Sequence, residues 1–141
     1  KENVIIYSGY GGVIIRKSFF SLGKKFLHVH GGYLPKYKGS TTNYYSMISE
    51  NMVGASALFL DENIDSGPIL YRKVFNVPQD LTKFDHVYDN SARAKVLIET
   101  IKNYLLNKEF RQIEIEDEGE TFYIIHPILK HIAILSKNKS L

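Results

Sequence analysis

Apolar and polar positions along this chain switch between a strand-like period and a helix-like one, and the switches mark its elements. Val4 to Tyr7 is a short apolar run stopped by Ser8-Gly9-Tyr10-Gly11-Gly12, the pattern of a buried strand entering a tight glycine turn. Ile14 to Leu22 fits a short helix with Gly23 as its C-terminal cap. Phe26 to His30 reads as a second strand, and Gly31 to Gly39, with paired glycines, a proline and lysines, reads as a loop. Ser40, Thr41 and Thr42 then offer N-caps for a helix reaching about Asn51. Gly54 to Leu60 is a third strand, followed by a polar turn from Asp61 to Gly67. Pro68 to Val77 is a fourth strand, whose proline is tolerated at the first position. Asp80 or Asp85 caps a long helix to about Asn107, with Val87, Ala94, Leu97, Ile98, Ile101 and Leu105 at helical spacing. Gln112 to Glu116 and Thr121 to Ile125 suggest a hairpin around Asp117-Glu118-Gly119, and Pro127 to Leu135 a short helix opened by its proline. Strands alternating with helices and then a hairpin predict an α/β fold, its sheet mainly parallel with an antiparallel C-terminal hairpin.

Length permits one core. With 141 residues, 44% of them apolar, a single domain over 1–141 is expected, with 1–107 as its body and 108–141 as the terminal hairpin and helix. The net charge of +3 comes from scattered lysines rather than an arginine-rich helix or an aromatic and basic stripe. That distribution gives a mild preference for anions and no nucleic-acid partner. The absence of cysteine excludes a disulfide framework and a thiolate zinc site, and a reduced cytoplasm suits the chain. No apolar run reaches the ~18 residues of a membrane span, so no membrane partner is expected. Lys1 stands directly ahead of a strand without a preceding methionine, so the chain reads as a fragment of something longer. A sheet edge exposed at that side would favour a homo-oligomer.

The candidate chemistry lies between Phe26 and Leu70. His28 and His30, two apart on a strand, project from one face with backbones about 6 to 7 Å apart. Such a pair serves metal ligation with Asp65, or acid–base and oxyanion work in which a carboxylate orients an imidazole, or is a pair of satisfied strand-end side chains. The Gly31-Gly32 that follows lets a substrate lie against backbone. Asp61 and Glu62 read as a solvated acidic loop, whereas Asp65, just ahead of Gly67-Pro68, is placed to face the mouth of the sheet. His126, Lys130 and His131 form a second basic cluster on the last helix, either surface charge or a binding patch, and His86 reads as helical surface.

The run Phe-Leu-His-Val-His-Gly-Gly-Tyr-Leu-Pro-Lys-Tyr-Lys-Gly, followed about two dozen residues later by Asp-Glu-Asn-Ile-Asp-Ser-Gly-Pro-Ile, resembles the folate-dependent formyltransferases. Their pattern is Asn-x-His with a Leu-Pro-x-x-x-Gly loop and then a loop with Asp ahead of Gly-Pro. The resemblance covers roughly residues 2 to 106 and fits in order and spacing. It implies a Rossmann-like sheet of the formyltransferase type lacking its N-terminal strands. It implies formyl-tetrahydrofolate as cosubstrate, a small-molecule amine as acceptor, and no metal. His30 matches the catalytic histidine and would stabilise the oxyanion. Asp65 matches the catalytic aspartate and would tune His30 and help to remove the amine's proton. The loop of Gly9, Tyr10, Gly11, Gly12 and Val13, with the turn holding Asp61, Glu62 and Ile64, resembles the walls of the folate pocket. His28 stands where the best-known members carry asparagine, whose amide donates to the oxyanion; a histidine can donate from one ring nitrogen. The stretches from Gly39 to Tyr45 and from Tyr123 to His131 look more like proteins of bacterial sugar biosynthesis, which points to a nucleotide-linked amino sugar. Two alternatives stand beside this reading: a metal-dependent hydrolase built on His28, His30 and Asp65, with further ligands only from His86, His126 or His131, and a non-catalytic folate-binding module.

Overall fold

The computed structural model describes residues 3–9 and 15–137. In chain order these form β1 (Val4–Ile6), α1 (Lys17–Phe20), β2 (Lys25–His30), β3 (Tyr37–Gly39), α2 (Thr42–Glu50), β4 (Met52–Phe59), β5 (Ile69–Asn76), a π-helical turn (Phe84–Tyr88), α3 (Asp89–Asn107), β6 (Glu120–Phe122) and α4 (Pro127–Lys137). A four-stranded sheet has the order β1-β2-β4-β5, and β3 pairs with β6 in a second, two-stranded one. The α/β, Rossmann-like class implied by the sequence is the class observed.

Parallel pairing is narrower than the sequence suggests. It joins β1 to β2 and β3 to β6, while β2–β4 and β4–β5 are antiparallel. Only residues 60–68 separate β4 from β5, too few for the crossover of a dozen or more residues that parallel strands require. Between β2 and β4 the helix α2 stays at the end where β2 leaves the sheet. Asn51, in the left-handed conformation at φ 54°, turns the chain straight from α2 into β4.

β4 is the central strand and is buried along nearly its whole length. One cluster joins Ala55, Ala57 and Phe59 to Ala92 and Val96 of α3; a second joins Tyr44 and Met47 of α2 to Phe84, Ile125 and Ala133. The α3 stripe facing the sheet is Ala92, Val96 and Thr100, flanked by Leu97 and Ile101, whereas Val87, Ala94, Ile98 and Leu105 of the expected stripe are exposed. This helix carries apolar residues on more than one stripe, and the small Ala92 lets it approach the sheet closely. Among the described residues, no helix is long and apolar enough to cross a membrane.

The expected C-terminal hairpin is not formed. Ile113 and Ile115 pack on Leu34, Leu58 and Ile69, and the Ile113 amide donates to the Ile69 carbonyl at 2.7 Å, so residues 112–116 are drawn onto the main sheet. Gly119, at φ 66°, lies against the Pro35 carbonyl with no space for a side chain, and β6 continues into pairing with β3. A turn-and-return at Asp117–Gly119 would forfeit both contacts.

Candidate active site

Both histidines stand at the carboxyl end of β2 and line a cavity of about 650 Å³. The turn between β4 and β5 brings Asp65 to the same cavity. Within that turn, Asp61 Oδ1 accepts the Asn63 amide at 2.8 Å and Ser66 Oγ donates to the Ile64 carbonyl at 3.0 Å. Asp65 itself takes the left-handed conformation, at φ 48°. Gly67 then passes so close to the Phe59 carbonyl that a Cβ there would overlap it.

His30 is 6% exposed and held at every polar atom. Its Nε2–H donates to the Tyr37 carbonyl at 2.8 Å, with Thr42 Oγ1 at 3.4 Å, and its Nδ1 lies 3.3 Å from Asp65 Oδ2. The same carboxylate oxygen accepts the Gly39 amide at 2.8 Å. Both ring nitrogens thus face oxygen atoms of the protein. The loop beneath it is fixed from the sheet: Ser56 Oγ donates to the Gly32 carbonyl and accepts the Leu34 amide, and Arg72 donates to the Leu34 carbonyl while lying over the Tyr33 ring. Thr42 Oγ1, His30 Nε2 and the Tyr37 carbonyl all occupy the space a Cβ of Gly32 would need.

His28 is held differently. Its Nδ1–H donates to the Tyr7 carbonyl at 3.1 Å, and the Tyr7 ring lies beside it at 6.0 Å between centroids. Burial pushes its pKa below 6.5, outweighing the hydrogen bond to Tyr7, and the neighbouring His30 and Arg93 push the same way. The ring is therefore neutral near pH 7.

Gly9, Asp61, Glu62 and Ile64 line the same cavity as His28, His30 and Asp65, whereas Tyr10, Gly11, Gly12 and Val13 lie outside the described residues. Glu62 also pairs with Lys17 at 2.7 Å in the open, in keeping with a solvated acidic loop. The His126, Lys130 and His131 cluster is structural where its contacts are seen. Lys130 pairs with Asp85 at 2.6 Å over the Tyr44 ring, His126 Nδ1 accepts the Ile128 amide, and His131 and His86 are exposed.

Sequence reasoning missed a polar wall whose Asp89 carboxylate lies against Gly31. Asn43, 2% exposed, donates to Asp89 Oδ1 at 3.0 Å and accepts the Gly54 amide at 2.8 Å, and Asp89 pairs with Arg93 at 2.8 Å. All three line the cavity. The Asp89–Arg93 spacing of i,i+4 was a readable signal; the link to Asn43, 46 positions away, was not. Among the described residues no group of three or more His, Asp or Glu side chains is arranged to hold a metal ion.

Residues 1–100 match the family model described as Formyl transferase. A methionyl-tRNA formyltransferase from Desulfotalea psychrophila is 29% identical over 122 residues, which are 84% of this chain and 36% of the relative. One from Pseudothermotoga lettingae is 32% identical over 119 residues, again 84% of this chain and 38% of the relative. The chain thus spans little more than a third of the length of these curated relatives. Among solved structures, a 4-N formyltransferase from Francisella tularensis superposes with a TM-score of 0.68 at 20% identity, covering 89% of this chain and 57% of that one. A formyltransferase from Anoxybacillus kamchatkensis, in complex with UDP-4,6-dideoxy-4-formamido-L-AltNAc and tetrahydrofolate, superposes with a TM-score of 0.64 at 21% identity, covering 79% and 59%. At these identities the structural likeness concerns the fold.

Proposed function

The chain belongs to the formyl transferase family, and from that premise we propose that it transfers a formyl group from formyl-tetrahydrofolate to an amine. The observation that carries the reading is the pair of buried His30 and half-buried Asp65, 3.3 Å apart at the wall of the 650 Å³ cavity. A cavity of that size falls within the usual range for small-molecule sites. An acyl carbonyl under attack by an amine develops negative charge on oxygen, and a pre-aligned donor in a dry pocket lowers that barrier most. His30 supplies the donor. Its Nε2–H is committed to the Tyr37 carbonyl, so the Nδ1–H, shared with Asp65, is the edge left for the oxyanion. Asp65, itself anchored by the Gly39 amide, keeps that edge turned to the cavity. The loop at Gly9 and the turn of Asp61, Glu62 and Ile64 form the side on which the folate would lie. The hydrolase alternative is weakened by the same geometry, because three of the four imidazole nitrogens of His28 and His30 already face protein oxygens.

For the acceptor, the stretches Gly39–Tyr45 and Tyr123–His131 favour a nucleotide-linked amino sugar, and the fold likeness to the Anoxybacillus enzyme is compatible with it. The curated relatives support a second reading, the aminoacyl group of methionyl-tRNA. Turnover on each acceptor separates them. Asp65→Asn tests the shared chemistry. Asparagine accepts the left-handed backbone that Asp65 adopts, so the thermal midpoint should stay within a few degrees while transfer falls by about 10²-fold or more. Near-normal transfer by this variant would refute the assignment.

A further inference from the structure

We propose that His28 is the general base of the transfer, taking the attacking amine's proton on Nε2. The inference rests on the formyl-transfer reading and moves within it the removal of the amine's proton, which the resemblance gave in part to Asp65, onto His28. A carbonyl oxygen only accepts, so the 3.1 Å contact with Tyr7 places the single proton of a neutral ring on Nδ1. Nε2 then carries a lone pair. Among the described residues it has no hydrogen-bond partner, and it is not one of the fully buried unpartnered atoms, so in a side chain lining the cavity it opens to that space.

The asparagine of the family pattern would present an amide donor here. His28, tied to Tyr7 in this tautomer, presents an acceptor instead, so the substitution exchanges one chemical role for another. Asp65 Oδ2 already holds both His30 and the Gly39 amide, and each His30 nitrogen faces an oxygen, which leaves His28 Nε2 as the imidazole nitrogen of the pair without a protein partner among the described residues. His28 and His30, two apart on β2, stand about 6 to 7 Å from one another at the backbone, which leaves room between them for a reacting carbonyl. The titratable and charged groups around His28 are Tyr7, His30, Asp65 and Arg93, the last paired with Asp89. Its neutral state near pH 7 keeps the lone pair available.

In the step itself, His28 Nε2 accepts the proton as the amine's lone pair forms the new C–N bond and the carbonyl electron pair moves onto oxygen, beside His30. The imidazolium keeps its Nδ1–H on the Tyr7 carbonyl. The oxyanion's electron pair then re-forms the carbonyl as the bond from the formyl carbon to the folate nitrogen breaks, and that nitrogen takes the bond's electron pair and receives the proton from Nε2. Protons and electrons balance, and the base is restored.

Two measurements test this. The first is long-range proton–nitrogen NMR on the full chain with ¹⁵N-labelled histidine, the His28 signals being identified by their loss in His28→Asn. The expected result at pH 7 is a neutral ring with the proton on Nδ1; a proton on Nε2 overturns the proposal, and this reading needs no turnover. The second compares wild type and His28→Asn in formyl transfer. Loss of about 10²-fold in kcat together with the acid limb of the pH–rate profile is expected. Full activity with an unchanged profile would show that a donor suffices here and would overturn the proposal. A wild-type chain with the expected tautomer that transfers no formyl group to any amine would overturn the formyl-transfer reading itself, and the role of base with it.

Discussion

At the scale of single residues, Gly32 is the position where the site tolerates least. A methyl group there would meet Thr42 Oγ1, His30 Nε2 at 2.5 Å and the Tyr37 carbonyl at 2.8 Å, the same atoms that hold the His30 ring. Gly32→Ala should therefore displace the imidazole from Asp65 and depress kcat by about 10²-fold, the order expected when an oxyanion donor is lost. Steady-state kinetics checks this, and unchanged turnover would show that the ring is not held as described. His28 makes a prediction of opposite character, because its folded-state pKa lies below the 6.5 of a free histidine. Above that value both folded and unfolded chains carry it neutral. As pH falls through it, the unfolded chain takes up a proton that the folded chain resists, so stability is lost toward the lower folded value. His28→Asn should lose less stability than wild type between about pH 7 and 5.5 in urea titrations; equal losses would contradict it. The motif residues themselves were legible through the family resemblance, which set His30 beside Asp65, and the two stand 3.3 Å apart. The Asn43–Asp89–Arg93 wall was not, since its members belong to two helices that only the fold brings together.

At the scale of elements, the capping of α2 departs from expectation in an informative way. Thr41 occupies the N-cap but sits at φ 52° and makes no side-chain capping bond. Its hydroxyl donates to the Ser40 carbonyl and accepts the amide of Ile125, a buried residue 84 positions on. The side chain that local reasoning assigns to the helix is used to fasten the C-terminal segment to the site. Thr41→Val keeps the shape and removes the acceptor, leaving the Ile125 amide unpaired, and should cost about 1–3 kcal/mol by chemical denaturation. A loss below about 0.5 kcal/mol would mean that water replaces the bond. Strands and helices set by continuous apolar runs were readable to within a few residues: β2 begins at Lys25 and α4 at Pro127. Segment 112–122 was not, because alternating Ile113 and Ile115 fit a hairpin as well as a lone extended run. Packing on Leu34, Leu58 and Ile69 decided between them.

At the scale of the whole molecule, β4 divides the described chain into a face packed by α3 and a region packed by α2, the π-helical turn and α4. The cavity opens where β2 ends, where the connections on either side of β4 and the turn ahead of α3 converge. That position follows from topology: the chain leaves β2 into the glycine loop, returns through α2 to β4, and re-enters through the Asp65 turn. A sequence reading could order these segments, but their meeting depends on two antiparallel pairings that short connections impose. The central claim is that this cavity, with His30 and Asp65 at its wall, accepts a folate. Calorimetric titration of a non-transferring formyl-tetrahydrofolate analogue into the full chain, with and without chelator, tests it most directly. The account predicts saturable binding at one site, indifferent to the chelator; an absence of saturable binding, or binding that the chelator abolishes, would contradict it.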